Sequence, residues 1–140
     1  IIKVMKQFRE SRYWVSEDGK VFSYWKKIKK TYNYSNRKYK EKIIYNKKER
    51  WKQLNPTLRK NGYLVFSLRC PSITNKLYNT SLHRMVAEIY CSGYFEGAHV
   101  DHIDNNKTNN HYTNLQWCTP EYNNKKGNNP NYPLFVSSDG

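Results

Sequence analysis

The stretch "HVDHIDNNKTNNHYTNLQW" runs from His99 to Trp117 and holds three of the chain's four histidines and five asparagines. Asparagine is a poor helix former, a middling strand former and a rare core residue. Two readings are open for so many hydrogen-bonding side chains: a loop, or a built site. The flanks narrow the choice. Ala98–Ile103 alternates apolar and polar residues and predicts a strand, and Leu115–Cys118 predicts a second. A helix follows at once, with Thr119 as N-cap, Pro120 in its first turn and Glu121 favourable to the helix dipole. Lys125 and Lys126 suit its last turn, and Gly127 its exit. The order is strand, long polar loop, strand, helix.

Upstream, Ser81 is a candidate cap for another helix. Leu82, Met85, Val86, Ile89 and Tyr90 then recur as one apolar face, and Gly93 marks a stop. This helix reads as core, and His83 on it as a structural hydrogen-bonding residue. Asn61-Gly62 predicts a turn, Tyr63–Leu68 a strand, and Lys76–Tyr78 another. Arg12–Ser16 and Val21–Trp25 flank Asp18-Gly19 and predict a β-hairpin. Lys26–Lys52 carries twelve basic residues against Glu41 and Glu49. Self-repulsion predicts an open basic insert there, with a β-ribbon around Tyr39–Tyr45. Asn128–Pro133 reads as a linker.

The chain has 140 residues, with 16% aromatic and 37% apolar side chains. That allows one compact domain or two very small ones around a modest core. Neither an apolar run of transmembrane length nor a signal-peptide pattern is present. The start at Ile1 and the abrupt end at Gly140 point to a trimmed piece. Cys70, Cys91 and Cys118 lack CxxC spacing, so a zinc knuckle is unsupported and free thiols in a reducing compartment are the expectation. Net charge is +14 and one-sided: residues 1–84 hold 22 Lys/Arg against 5 Asp/Glu, whereas residues 85–140 hold 3 against 6. Such asymmetry fits a polyanion partner better than a merely solubilising surface. A membrane surface ranks low, because no basic amphipathic helix accompanies the charge.

The opening stretch offers chemistry as well as loop-forming residues. Asp101 and His102 are adjacent, so on a strand they face opposite ways. Asn123 lies on the following helix. A carboxylate and an amide oxygen are hard ligands suited to Mg²⁺, which commonly keeps waters and takes few protein ligands. A neutral imidazole nearby takes a proton from water at neutral pH. Together they suit phosphodiester hydrolysis.

Val100-Asp-His-Ile-Asp104, Asn109-Asn110, Asn114-Leu-Gln-Trp117, Thr119 and Asn123-Asn124 resemble the HNH endonucleases, in particular the phage- and intron-type homing endonucleases. Ser81–Ala87 resembles the helix that precedes their motif, and Tyr13–Ser16 with Gly19–Val21 resembles, more loosely, their small N-terminal module. The resemblance implies an α+β fold: a small N-terminal antiparallel sheet followed by a ββα-metal motif. It implies one divalent ion, Mg²⁺ or else Mn²⁺, held by Asp101 and Asn123, with Asn124 the alternative if the helix register shifts by one. His102 would be the general base. Asn114 would tie the loop together and help hold that base. Asp104 is expected in a loop role.

The expected organisation is a basic β-rich DNA-binding region over 1–80, a nuclease core over 81–127 and a tail over 128–140. The expected partner is double-stranded DNA, met in the cytoplasm by a monomer. Arg37, Lys38, Lys40, Lys42, Arg59, Lys60 and Arg69 are candidate DNA contacts, with Lys125 and Lys126 beside the scissile backbone. Two other readings stay open: a non-catalytic DNA-binding protein on the same scaffold, and a nonspecific or RNA-directed nuclease.

Overall fold

The computed structural model describes residues 4–9, 11–24, 27–44, 51–69, 76–129 and 131–136. Trp25, Lys26, Tyr45–Arg50, Cys70 and Pro130, on which parts of the expectations fall, lie outside the described residues.

The first sheet has four strands in the order β1-β2-β3-β6. These are β1 (Met5–Gln7), β2 (Tyr13–Ser16), β3 (Val21–Tyr24) and β6 (Trp51–Leu54). The Asp18-Gly19 hairpin forms as expected, with Val15 opposite Val21. Its turn closes through Gly19 N–H donating to the Ser16 carbonyl at 3.1 Å. Gly19 has φ +81, a left-handed conformation that glycine adopts without Cβ strain.

Between β3 and β6 runs a two-stranded ribbon, β4 (Lys27–Asn33) and β5 (Lys38–Ile44). Seven residue pairs align, from Lys27 opposite Ile44 to Asn33 opposite Lys38. The β-ribbon expected around Tyr39–Tyr45 forms as far as Ile44, and it extends to residues 27–33, where an open insert was expected. Antiparallel pairing satisfies the backbone, and the register sets Lys29 opposite Lys42, Lys30 opposite Glu41 and Tyr32 opposite Tyr39. The pairing of Tyr24 with Trp51 returns the chain beside its point of departure, so the ribbon projects from the sheet.

A three-stranded sheet follows, ordered β7 (Thr57–Leu58), β8 (Leu64–Arg69) and β9 (Leu77–Ser81). Its β7–β8 turn holds Gly62 at φ +87, where Asn61-Gly62 predicted it. Helix α1 (Leu82–Tyr90) buries Leu82, Met85, Val86 and Ala87. Ser81 stands at its N-cap position, but its hydroxyl makes no capping hydrogen bond. The side of α1 that carries Met85 and Val86 supplies side chains with no solvent exposure, each contributing about 1.5–3 kcal/mol on burial. Tyr90 extends the same face and donates its hydroxyl to the Val15 carbonyl at 2.6 Å.

Strands β10 (His99–His102) and β11 (Leu115–Cys118) pair antiparallel, with Asp101 opposite Gln116. Helix α2 (Pro120–Lys126) closes the motif. Thr119 caps it as expected, its hydroxyl accepting from Tyr122 N–H at 3.1 Å; such a cap contributes about 1 kcal/mol. One hydrophobic cluster joins the two larger sheets, α1 and the β10–β11 hairpin: Phe8 beside the first sheet with its Val15 and Val21, Phe66 and Leu68 from the second, the α1 face, and Val100, Leu115 and Trp117. No helix among the described residues is long and apolar enough to cross a membrane.

Candidate active site

The asparagines of the opening stretch divide between loop and site. Between β10 and β11, Asn114 is the loop's organiser. Its amide donates to Asp104 Oδ1 at 2.8 Å and to the Asn109 carbonyl at 2.9 Å, and its oxygen accepts from Asp104 N–H at 3.1 Å. Asp104 in turn accepts from Asn106 N–H at 2.8 Å and from the Asn109 amide at 3.0 Å. Asp104 thus has the loop role expected of it. His111 caps the 3-10 turn at Tyr112–Asn114 by accepting from Thr113 N–H.

Asn114 was also expected to help hold His102, and it braces the backbone beside that residue, its carbonyl accepting from Ile103 N–H at 2.8 Å. The residue at the imidazole is Asn110, which is buried, with its Oδ1 2.9 Å from His102 Nε2. The Asn110 amide nitrogen lies 3.5 Å from the Lys107 carbonyl, an orientation consistent with Oδ1 as the atom facing the ring. An amide oxygen only accepts, so Nε2 carries the proton and Nδ1 keeps its lone pair. The sequence offered Asn110 beside Asn109 with no local pattern to choose between them. Tertiary packing makes the choice, because Gly19 of the first hairpin touches Asn110.

His102 is buried, and burial pushes its pKa below the ordinary histidine value, more strongly than the Asn110 contact raises it. Two rings lie against it: His83 with centroids 5.0 Å apart and Tyr63 at 6.0 Å. His83 and Tyr63 are themselves 4.9 Å apart. Burial, followed by the nearby His102 and Arg84 charges, drives the His83 pKa down to about 3. The structural hydrogen bond expected of His83 is not found among the described residues; its contacts are rings. The i+3/i+4 periodicity gave α1 as a helix, and it could not show that His83 borders the site.

Asp101, His102 and Asn123 line one cavity of about 50 Å³, together with Asn105 and Tyr63. The α2 register brings Asn123 to it, whereas the neighbouring Asn124 is exposed. Asp101 is buried, and its Oδ2 accepts from Gln116 at 2.9 Å and from the Lys126 ammonium at 2.6 Å. No hydrogen bond to Asp101 Oδ1 or to the Asn123 amide is found among the described residues. Asn105 sits at φ +62 with a buried amide nitrogen that lacks a partner. A buried donor without an acceptor costs about 1–3 kcal/mol.

This donor set fits a hard divalent cation. Asp101 and Asn123 both line this cavity and would offer it a carboxylate and an amide oxygen, and waters and phosphate oxygens would complete the shell. Among the described residues no group of three or more His, Cys, Asp and Glu is placed to hold a metal, so softer or all-protein sites are not present there.

Of the expected DNA contacts, Arg37, Lys38, Arg59, Lys60, Arg69 and Lys125 are exposed. The side chains of Lys40 and Lys42 lie outside the described residues. Lys126 departs from expectation. It is 2% exposed, and its ammonium is spent on Asp101, the His102 carbonyl at 2.7 Å and the Ile103 carbonyl at 3.0 Å. A side chain so placed faces the protein interior rather than a phosphate backbone.

Comparison with known proteins bears on the same residues. Residues 81–125 match the HNH endonuclease family model. An HNH endonuclease of Acanthamoeba polyphaga mimivirus is 34% identical over 113 residues, covering 81% of this chain and 26% of that protein. The DNA endonuclease I-HmuI of Bacillus phage SP01 is 55% identical over 42 residues, 30% of this chain and 24% of that protein. The SPbeta prophage-derived HNH homing endonuclease YosQ of Bacillus subtilis is 30% identical over 120 residues, 86% of this chain and 54% of that protein. The chain thus spans from about a quarter to about half the length of these relatives. The solved structure describing DNA binding and cleavage by I-HmuI superimposes with a TM-score of 0.61 at 30% identity, covering 97% of this chain and 63% of that one. Residues 81–125 thus resemble an HNH endonuclease domain, and the α+β fold of the chain is similar to that of the HNH homing endonuclease I-HmuI.

Proposed function

We propose that the protein is a DNA endonuclease of the homing type, hydrolysing phosphodiester bonds with one divalent ion and with His102 as general base. The observation that carries this reading is the convergence of Asp101, His102 and Asn123 on one cavity from β10 and α2. When bound, the ion, Mg²⁺ or Mn²⁺, supplies positive charge to the phosphate and to the leaving oxygen. Asp101 Oδ1 and the Asn123 amide oxygen are the atoms that would hold it. His102 works as a neutral imidazole. Asn110 Oδ1 accepts a hydrogen bond from Nε2–H, so Nδ1 is the nitrogen available to receive a proton from water. The rings of His83 and Tyr63 limit its rotation.

Grip on duplex DNA is assigned to the basic first part, with its projecting ribbon and the exposed Arg59, Lys60 and Arg69. Lys125, exposed on α2, is the lysine of its pair that would meet the scissile backbone.

Supercoiled plasmid incubated with Mg²⁺ or Mn²⁺ tests the enzyme claim. Wild-type protein is expected to nick or linearise it, and His102→Ala to bind the same DNA without cutting. Wild type and variant that bind equally and are equally inert would leave a DNA-binding protein on a nuclease scaffold. A parallel RNA substrate that is cut faster than DNA would shift the substrate class.

A further inference from the structure

The last turn of α2 is where a lysine suits the helix dipole from the surface, but Lys126 turns inward. Its three ammonium protons are matched by three oxygens: Asp101 Oδ2 at 2.6 Å, the His102 carbonyl at 2.7 Å and the Ile103 carbonyl at 3.0 Å. The Gln116 amide donates to the same Oδ2. That oxygen is thereby saturated, while Oδ1 has no partner among the described residues. Asn123, on the same helix, lines the cavity that Asp101 also lines. Lys126 ties the end of α2 to the carboxylate on β10 and fixes which of its two oxygens is left over.

We propose that Lys126 is a positioning residue of the metal site, a built-in counter-cation that reserves Asp101 Oδ2 and leaves a divalent ion a single carboxylate oxygen. The proposal rests on the reading of Asp101 as a metal ligand. An ammonium and a dication on one carboxylate repel each other across a few ångströms of poorly screened interior. The DNA-free protein therefore holds the ion weakly, and a substrate phosphate supplies the negative charge that makes the site complete. The charge of Lys126 couples metal binding to substrate binding.

Mn²⁺ titration of the DNA-free protein, followed by electron paramagnetic resonance of the unbound ion, tests this. Lys126→Gln removes the charge and frees Oδ2. It is expected to bind Mn²⁺ about tenfold or more tighter than wild type, while cutting plasmid more slowly because the carboxylate is no longer fixed. Lys126→Arg keeps the charge and is expected to stay weak. A merely structural lysine would give the opposite result, weaker or unchanged Mn²⁺ binding in Lys126→Gln, and that outcome overturns the proposal. Where circular dichroism shows that Lys126→Gln does not fold, the wild type decides. An Mn²⁺ site on DNA-free wild type tighter than roughly 100 μM, lost in Asp101→Asn, overturns the proposal, and a weaker site supports it. Plasmid cleavage by wild type in the same buffers separates the two levels. If cleavage is present and the Mn²⁺ result is contrary, only the role of Lys126 falls. If no divalent ion supports cleavage, the nuclease reading falls with it.

Discussion

At the scale of single residues, the site is a set of side chains whose hydrogen bonds have been assigned so that a few atoms stay free. Asn110 Oδ1 meets His102 Nε2, Lys126 and Gln116 occupy one oxygen of Asp101, and Asn114 holds the loop that carries Asn110. His83 is the residue whose environment has a consequence for stability. Its folded pKa is lowered to about 3, while the unfolded chain titrates near the ordinary histidine value of 6.5. Between those values the unfolded state binds a proton that the native state does not. The stability gained from keeping His83 neutral is therefore full above pH 6.5 and lost as pH falls toward 3. The loss approaches about 1.4 kcal/mol per pH unit at most. Urea unfolding at about pH 7.5 and about pH 5 is expected to show a larger drop for wild type than for His83→Phe, which keeps the ring contact and cannot titrate. Equal drops for the two proteins would mean that another group carries the acid sensitivity.

At the scale of elements, the active-site loop is braced by turns from distant parts of the chain. The β2–β3 turn touches it twice: Tyr112 N–H donates to the Glu17 carbonyl at 3.0 Å, and Gly19 packs on Asn110. The β7–β8 turn touches it once more, where the Lys107 ammonium donates to the Asn61 carbonyl at 2.8 Å and lies over the Tyr63 ring. A Cβ added at Gly19 would stand 2.9 Å from the Asn110 carbonyl oxygen and 3.0 Å from its Cβ. Neither atom yields without moving the loop backbone. Gly19→Ala is thus expected to destabilise the fold and also to slow plasmid cleavage per folded molecule, by displacing the partner of His102. Gly97→Ala is the control. It has a similar φ of +84 and open space around it, so it carries the backbone strain of about 1–2 kcal/mol alone. The coupling between hairpin and loop is disproved if the two variants, compared at equal folded fraction, cut equally fast.

At the scale of the whole molecule, two charge regimes share one hydrophobic core. The first 84 residues hold the 22-to-5 basic excess, and the nuclease motif follows in a slightly acidic segment. The core cluster takes residues from the first sheet, the three-stranded sheet, α1 and the β10–β11 hairpin, so these parts present their surfaces in a fixed relation. A rigid basic face can align a duplex across the cavity, whereas a tethered one would only concentrate it nearby. Affinity for duplex DNA is expected to fall steeply with salt, by ~0.9 log units per tenfold salt for each phosphate neutralised. A slope of about −4 or steeper, in titrations at several salt concentrations, is the outcome that assigns the grip to the basic part. A slope near −1 would leave most of those lysines as ordinary solvated side chains.

The local pattern of residues by itself determined the element types and the motif. Period-2 alternation marked β10 and β11, an apolar face at i, i+3, i+4 marked α1, and Thr119-Pro120 with Gly127 bounded α2. Asp18-Gly19 and Asn61-Gly62 placed two turns for reasons of backbone conformation that need no tertiary context. The candidate donors Asp101, His102 and Asn123 were legible too, because few residue types carry that chemistry and they stood at a motif's spacing. The sequence placed a β-ribbon around Tyr39–Tyr45, and only the tertiary structure decided that it pairs back over residues 27–33. Only that structure set Asn110 at the imidazole of His102, set His83 against the ring, and turned Lys126 from a surface cation into an interior one. Those choices are made by contacts between segments far apart in the chain. A local sequence window shows what a side chain can do, and which partner reaches it is settled where the elements pack.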